Sequence, residues 1–224
     1  MLELGVKFLI SYFIGSLMGA MIMGKLKGGV DIRTMGSGNA GGTNALRTQG
    51  VWFALGVVII DVGKGVVGAG VIPGLDLPFA PLDPAVSREW LTLCCGLAAV
   101  FGHVWPVYHG FKGGKGAATF VGTLVFIAPT LIIGILLVWA TVVILTGYVG
   151  LATMTAATAM PLWVAITGLD LDRQPLFIYL AVIAGCIIYW HRSNIQRMRD
   201  GVENRNEKLM LFKPKSAPGG DEQT

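Results

Sequence analysis

The stretch His109–Phe120, "HGFKGGKGAATF", combines two lysines with four glycines. Glycines leave backbone N–H groups bare, and Lys112 and Lys115 add two ammonium charges. Together with Gly113 and Gly114, these residues suit a phosphate dianion, which accepts hydrogen bonds from both kinds of donor. The alternative is that the lysines only anchor the chain beside lipid headgroups. Anchoring would explain the charge but not the surrounding glycines.

A second segment, Gly36–Arg47 ("GSGNAGGTNALR"), places glycines beside neutral hydrogen-bonding side chains. Those side chains are Ser37, Asn39, Thr43 and Asn44. A helix starting near Thr43 would present free N–H groups and its dipole to an anion, with Thr43 and Arg47 one turn apart on one face. A flexible turn with a helix cap is the alternative, and this segment alone leaves both open.

The third segment, His191–Glu203 ("HRSNIQRMRDGVE"), follows the last apolar run. In a continuing helix, His191 and Asn194 share a face. A positively charged anchor at the membrane surface would explain the arginines, but it would not explain this pair. His103, upstream of the lysine loop, is a lone histidine, a type that is more often a structural hydrogen bonder than a catalyst.

The elements that position these segments are apolar. Of 224 residues, 54% are hydrophobic and only 13% are charged, which indicates an integral membrane protein. Basic patches can also bind nucleic acid, but the apolar bulk leaves no soluble domain to present them. We therefore expect membrane lipid, and no nucleic acid, among the partners.

The number of membrane crossings follows from charge and length. Helices need about 20 apolar residues to cross a bilayer. Clear spans cover 4–24, 51–72, 90–108 and 176–190, while the uncharged stretch 117–169 fits two comfortable spans or three short ones. The basic connection 25–50 and the basic tail after Trp190 should be cytoplasmic, and the connection 73–89, which has no basic excess, should be outside.

This charge pattern requires an odd number of crossings in the uncharged stretch, so we assign spans to 117–128, 130–147 and 150–168. A re-entrant segment in place of one of the short spans is the alternative. The predicted fold class is an all-α integral membrane protein with seven transmembrane helices, its N-terminus outside and its C-terminus cytoplasmic. Residues 1–212 should form a single seven-helix membrane domain, and 213–224 a disordered cytoplasmic tail. Inside the second span, Asp61 and Lys64 either serve function or form a self-neutralised brace.

In register, the three segments read "GSGN-x-G-x-TN-x-x-R", "GH-x-x-P-x-x-x-x-FKGGKG-x-AT" and "HR-x-NI-x-R-x-x-x-G-x-E". This ordered set resembles the bacterial membrane glycerol-3-phosphate acyltransferases that use acyl phosphate as donor, the PlsY family. The resemblance covers the whole chain and agrees in order, spacing and predicted sidedness.

The resemblance implies an enzyme of the bacterial cytoplasmic (inner) membrane whose active site faces the cytoplasm. Such an enzyme moves a fatty acyl group from acyl phosphate to the 1-hydroxyl of sn-glycerol 3-phosphate. It releases lysophosphatidic acid and phosphate, in the first step of phospholipid synthesis. The implied partners are these two substrates and the upstream enzyme that makes acyl phosphate, and no cofactor or metal is expected.

The resemblance assigns site roles to Ser37, Arg47, Lys112 to Gly116, His191, Asn194 and Glu203, and the side-chain chemistry described above adds the other residues. Catalytic roles fall to Ser37, Arg47, His191 and Asn194. Substrate phosphate binding falls to Gly38, Asn39, Thr43, Asn44, Lys112, Gly113, Gly114, Lys115 and Gly116. Supporting roles fall to His103, Thr153 and Glu203. Thr153 is included because "GYVGLATM" departs from the family pattern: Gly147 and Gly150 stand where an arginine and a serine are expected, and Thr153 offers a hydroxyl nearby.

Acyl transfer from acyl phosphate does not require a strong base, and the sequence shows no candidate for one. None of the three histidines is followed by Asp five residues later, so the His-x-x-x-x-Asp dyad of thioester-using acyltransferases is missing. An acyl phosphate is already activated, so the demanding task is to hold two anionic substrates and align a hydroxyl with the carbonyl. The alternative from another class is a small anion transporter, although its site would lie near the bilayer midplane.

Overall fold

The computed structural model describes residues 1–168 and 170–211. In this part of the chain the all-helical architecture is confirmed, apart from one isolated bridge between Leu77 and Ala80. The helices are α1 (Leu2–Gly15), α2 (Gly19–Leu26), α3 (Gly42–Gln49), α4 (Val51–Val66), α5 (Arg88–Val104), α6 (Ala117–Ile127), α7 (Thr130–Thr146), α8 (Val149–Ile166), α9 (Gln174–Trp190) and α10 (Arg192–Arg199). A π turn and a 3-10 turn extend α4 to Gly74. The predicted tail 213–224 lies outside the described residues.

Each predicted span has a helical counterpart, but the number of crossings stays a prediction. Within the described residues, three helical stretches are long and apolar enough to span a membrane: Val51–Gly74, Arg88–His109 and Val149–Ile166. Two bent pairs, α1 with α2 and α9 with α10, bring the number to five if each pair is one span. Helices α6 and α7 are apolar but shorter, and the 11 residues of α6 cover only about 16 Å.

The connections gather at two ends of the helices. At one end, the Glu3 carboxylate pairs with Lys7 and with both terminal nitrogens of Arg88, at 2.6–2.8 Å. The N-terminal ammonium contacts Asp83 at the same end. The three polar segments identified from the sequence lie at the other end. The chain that follows α10 also returns there, where Asn206 N–H donates to the carbonyl of Gly147.

Helix α1 has a polar buried face and an apolar outer face, the reverse of a helix in a water-soluble bundle. Helix α1 buries every fourth residue, which are Glu3, Lys7, Ser11 and Gly15. Its Leu9 and Phe13 side chains are 54% and 43% exposed instead. Because exposed apolar surface on this scale is costly in water, this arrangement is typical of helices that face lipid.

Glycines allow the closest helix contacts. A Cβ at Gly15 would overlap the backbone carbonyl of Ala99, so α1 and α5 touch main chain to main chain. Helices α4 and α6 make the same kind of contact, since a Cβ at Gly122 would overlap the carbonyl of Val62. Close backbone approach through small residues is a common way to pack helices within a membrane, where apolar burial gives little driving force.

The Asp61–Lys64 pair lies at the break between α1 and α2. The Lys64 Nζ lies 2.9 Å from Oδ1 of Asp61, and both side chains are at most 3% exposed. The Lys64 ammonium donates to the carbonyl of Leu17, and the Asp61 carboxylate accepts from the N–H of Gly19. A break in a helix leaves carbonyl groups without partners at the end of one helix and N–H groups without partners at the start of the next. Here the Lys64 ammonium meets the carbonyl end of α1, and the Asp61 carboxylate meets the N–H end of α2. The pair therefore braces two helix ends as well as its own helix.

We expect Gly15→Ala to lower the free energy of unfolding by about 1–3 kcal/mol, because the added Cβ cannot be accommodated without moving α5. Gly5→Ala is the matched control, since it lies on the same helix and a Cβ there has no neighbour within 4 Å. Thermal unfolding in detergent, followed by near-UV circular dichroism, measures both variants. Equal melting temperatures for the two would show that α1 and α5 are not packed this closely.

Candidate functional site

The glycine–lysine loop folds back over the C-terminal end of α5. The N–H groups of Gly113 and Gly114 donate to the carbonyls of Val104 and His103, each at 3.1 Å. These carbonyls belong to the last turn of a helix, where no intrahelical donor reaches them. Gly116 then adopts a left-handed conformation (φ +80°) from which α6 begins, a backbone geometry that favours glycine. The loop is thus fixed at both ends by backbone geometry.

Lys115 connects this loop to α10. Its ammonium group donates to Oδ1 of Asn194. The Asn194 amide nitrogen in turn donates to Glu203 at 2.7 Å, and Arg197 pairs with the other Glu203 oxygen at 2.6 Å. Because Glu203 takes the amide nitrogen, the Asn194 oxygen is left facing the lysine. The predicted site residues Lys115, Asn194 and Glu203 therefore form one chain of contacts.

The position of Lys115 changes its acidity. Burial, reinforced by the nearby positive charge of Arg197, lowers the pKa of the ammonium group to about 8, although Glu203 opposes this. The Lys115 ammonium is half-buried, its direct partner Asn194 is neutral, and the carboxylate of Glu203 does not contact it. An anion that binds beside this ammonium group would therefore stabilise its charge. The electrostatics of the loop therefore favour an anionic ligand.

His191 is held by the end of α9. Its Nδ1 lies 2.8 Å from the carbonyl oxygen of Ile187, and because a carbonyl only accepts, Nδ1 must carry the proton. Burial is the main cause that lowers the pKa of this histidine to about 4. The ring is therefore neutral at physiological pH, and its Nε2 is a hydrogen-bond acceptor.

The first segment folds around Asn44. The buried Asn44 side chain accepts from the N–H of Ser37 and donates to the carbonyls of Ile32 and Met35. These bonds fix the loop that precedes α3, and the predicted helix start near Thr43 is confirmed at Gly42. Asn44 therefore organises the loop rather than facing an open space. Ser37, Thr43 and Arg47 are exposed, and Arg47 makes no polar side-chain contact within the described residues.

A residue that the sequence analysis missed joins the first two segments. Arg33 makes a two-pronged ion pair with Asp31, at 2.8–3.2 Å. Its remaining nitrogen donates to the carbonyls of His109 and Lys112, at 3.2 and 3.3 Å. The only sequence signal was an arginine two residues after an aspartate, upstream of the glycines. Nothing in that spacing indicates a contact 79 residues away.

A cavity of about 260 Å³ opens where the three segments meet. Asn39 from the first segment, the Gly113–Lys115 loop from the second, and Arg192 from the third all line it. Trp105 and Trp190 form an aromatic wall, with ring centroids 5.6 Å apart. The cavity thus combines two cations with an apolar wall, which suits a ligand with an anionic head and an apolar part. The N–H groups of Gly113 and Gly114 are already bonded to the end of α5, so the expectation that they are bare is wrong.

A larger cavity, of about 360 Å³, lies at the other end of the helices. Its lining includes Arg88 and Arg173, but also the carboxylates Glu89 and Asp172. Arg88 is already paired with Glu3. Because the carboxylates repel anions and one arginine is engaged, we assign the anion site to the smaller cavity.

The structure separates the other predicted site residues. Lys112 and Gly38 are exposed and do not line the smaller cavity, and neither do Ser37 and Arg47. Thr153 is not brought to it either: its hydroxyl donates to the carbonyl of Val149 and accepts from the indole of Trp139. Gly150, where the resemblance expects a serine, does lie at the site, since a Cβ there would stand 2.9 Å from the Asn194 amide.

Comparison with known proteins adds independent findings. A family model described as glycerol-3-phosphate acyltransferase matches residues 6–201. A glycerol-3-phosphate acyltransferase of Chlorobaculum parvum is 41% identical over 219 residues, covering 88% of this chain and 93% of the relative. The corresponding protein of Chlorobium limicola is 40% identical over 230 residues, covering 92% and 97%.

Two solved structures are similar in fold. Both are crystal structures of PlsY, an integral membrane glycerol 3-phosphate acyltransferase, and both are 32% identical to this chain. The glycerol 3-phosphate form has a TM-score of 0.76 and covers 92% of this chain and 96% of its own. The lysophosphatidic acid form has a TM-score of 0.73 and covers 90% and 94%. The resemblance inferred from the three segments is confirmed.

We expect Arg33→Lys to weaken the binding of inorganic phosphate by roughly fivefold, equivalent to about 1 kcal/mol, because lysine cannot hold Asp31 and two loop carbonyls at once. Isothermal titration calorimetry on the detergent-solubilised protein measures the affinity. Arg199→Lys is the control, because Arg199 is exposed and makes no polar contact in the described chain. Equal affinity for the two variants would mean that Arg33 does not hold the loop.

Proposed function

This chain belongs to the glycerol-3-phosphate acyltransferase family, and from that premise we propose that it transfers a fatty acyl group from acyl phosphate to the 1-hydroxyl of sn-glycerol 3-phosphate. The products are lysophosphatidic acid and inorganic phosphate. The observation that carries the proposal is the cavity in which Asn39, the Gly113–Lys115 loop and Arg192 come together beside an aromatic wall.

The phosphate of glycerol 3-phosphate binds at the Gly113–Lys115 loop. Lys115 supplies the half-buried charge, and its present partner, the neutral Asn194 oxygen, is readily exchanged for a phosphate oxygen. Arg192 lines the same cavity, and Lys112 directly precedes the loop in the sequence. The exposed Arg47 and Ser37 remain available to the second substrate, and we assign them to the phosphate and carbonyl of acyl phosphate.

The reaction then needs little from the protein beyond placement. The 1-hydroxyl oxygen of glycerol 3-phosphate attacks the carbonyl carbon of acyl phosphate, forming the new ester bond. The bond between that carbon and the phosphate oxygen breaks, and phosphate leaves with the bonding electrons. A substrate phosphate takes the hydroxyl proton. Ser37, His191 and Asn194 position the groups, and the neutral His191 accepts a hydrogen bond through Nε2.

The chain is a multi-pass helical membrane protein, and we place its site at the cytoplasmic face of the bacterial inner membrane. Seven crossings, with the N-terminus outside, account for the positive charge of the connections at the site end. The grouping of Glu3, Asp83 and Arg88 at the opposite end supports this arrangement. Under it, acyl phosphate enters from the inner leaflet with its phosphate at the membrane surface.

One assay tests the function. Purified protein is incubated with acyl phosphate and glycerol 3-phosphate in metal-free buffer, and the released phosphate and the lysophosphatidic acid are measured. The two products should form in equal amounts. A parallel reaction with an acyl thioester tests donor choice, and Arg47→Ala should be inactive. The alternative of an anion transporter would be favoured if proteoliposomes moved phosphate across the membrane and no lysophosphatidic acid formed.

Lys115→Ala should raise the KM for glycerol 3-phosphate by about tenfold to a hundredfold and leave kcat largely unchanged, because a charge-assisted hydrogen bond to phosphate is lost. In the wild type, KM should rise as pH increases through about 8, where Lys115 loses its proton. The substrate remains a dianion throughout, since phosphate monoesters have a second pKa near about 6. Lys115→Arg, whose charge persists, should flatten this rise. Unchanged kinetics for Lys115→Ala would remove the phosphate assignment.

His191→Ala should slow turnover without altering the pH dependence of kcat between about pH 6 and 8. The reason is that burial lowers the pKa of this histidine to about 4, so that it does not titrate in that range. His191→Gln is the companion variant, since it retains a hydrogen-bonding side chain and should lose less activity. If the wild-type profile showed an ionisation in the histidine range that His191→Ala removed, His191 would be the general base.

A further inference from the structure

Among the buried ionisable side chains that have no part in the mechanism above, three lie together near the site. Asp61 is 1% exposed, His103 3% and Lys64 5%, all within the predicted spans. Ionisable groups are costly there and mark function by default. Asp61 and Lys64 bind the backbone at the α1–α2 break, which explains two of the three. His103 remains to be explained.

His103 stands between this pair and the glycine–lysine loop. On one side, its Nδ1 lies 3.4 Å from Oδ1 of Asp61, the oxygen that also contacts Lys64 and Gly19. In the described structure this nitrogen has no hydrogen-bond partner at closer range. A carboxylate at that separation orients the ring through its charge and favours a proton on Nδ1.

On the other side, the imidazole lies directly beneath the loop. A Cβ at Gly114 would overlap Nε2 of His103, with the two neighbouring ring carbons also within about 3 Å. The backbone of the same histidine accepts the N–H of Gly114. Residue 114 therefore rests against both the ring and the carbonyl of His103, and Lys115 follows immediately.

We propose that His103 is a positioning residue for the phosphate loop: its ring, held on one side by Asp61, supports Gly114 and so sets where the Lys115 ammonium lies in the cavity. This inference rests on the proposed function, in which the loop binds the phosphate of glycerol 3-phosphate. His103 is buried and absent from the cavity lining, whereas Lys115 and Gly114 are part of it. It therefore acts through the loop and not on the substrate.

A double-mutant cycle tests the contact. Gly114→Ala should raise the KM for glycerol 3-phosphate by about tenfold or more, because the new methyl group collides with the imidazole. His103→Ala should raise KM by a similar factor with kcat changed by less than about threefold, since the loop loses its support. In the His103→Ala background, adding Gly114→Ala should cost less than about twofold, because the colliding ring is gone.

Gly113→Ala is the matched control. A Cβ at Gly113 would overlap the backbone carbonyls of His103 and Val104, which no side-chain substitution removes. Its effect on KM should therefore be the same in both backgrounds. If Gly114→Ala costs as many fold in His103→Ala as in the wild type, the ring does not support the loop and the proposal is wrong. Should His103→Ala fail to fold, His103→Asn, whose shorter side chain also vacates the Nε2 position, completes the same cycle.

A second cycle tests the role of Asp61. Asp61→Asn should raise KM for glycerol 3-phosphate in the wild type by roughly fivefold, but it should add less than about twofold in His103→Ala, because it acts through that ring. Asp61→Asn should lower the melting temperature in both backgrounds, since Lys64 and Gly19 lose their anionic partner. An undiminished effect on KM without the His103 ring would refute the link to Asp61.

The failure of this inference can be told apart from failure of the proposed function. The same variants are titrated with inorganic phosphate by calorimetry, without acyl donor. A wild type that binds phosphate but forms no lysophosphatidic acid would overturn the function, while the phosphate affinities would still decide the His103 cycle. Normal turnover with additive effects of the two substitutions would overturn only the positioning role.

Discussion

A half-buried ammonium group in an apolar protein is the constraint on which the rest of the site depends. Lys115 leaves water, and burial lowers the pKa of its side chain to about 8. Its charge is tolerated because Asn194 turns an oxygen toward it, and Asn194 does so because Glu203 takes the amide nitrogen. Arg197 completes the arrangement by neutralising Glu203. The protein thus holds a cation ready for an anionic ligand through neutral contacts that the ligand can displace.

Charged side chains deeper in the helices are also stabilised by specific partners. Asp61 and Lys64 neutralise each other and also bind the free backbone groups at the α1–α2 break. Glu3, Lys7 and Arg88 do the equivalent at the far end, where Lys7 also donates to the carbonyl of Pro73. Breaking one member of such a buried group leaves an unpaired charge, which costs about 3–5 kcal/mol. These groups therefore stabilise the α1–α2 break and tie the far end of α1 to that of α5.

Local sequence was sufficient for the helices and for the type of chemistry. The lengths of the apolar runs predicted helices that agree with α4, α5 and α9 within a few residues, because hydrophobic length is a property of the chain itself. For α6 to α8 the placement of charged residues was also needed, since length alone fitted two spans or three. The helix start expected near Thr43 agrees with α3, which begins at Gly42. The phosphate loop indicated by glycines next to lysines stays a prediction. The ordered segments were enough to place the chain in its family, which the comparisons confirmed.

Only the tertiary structure decided which of these residues work together. Two lysines three apart looked equivalent in sequence, yet Lys115 lines the cavity and Lys112 does not. Arg33 reaches Lys112 across 79 residues, and Lys115 reaches Asn194 across the same distance in sequence. Thr153 was predicted to supply a hydroxyl, but Trp139 and its own helix occupy it, and Gly150 lies beside Asn194 instead. The sequence does not show such pairings, because they arise only when the helices pack at particular rotations. A quarter turn of one helix would bring a different set of side chains together.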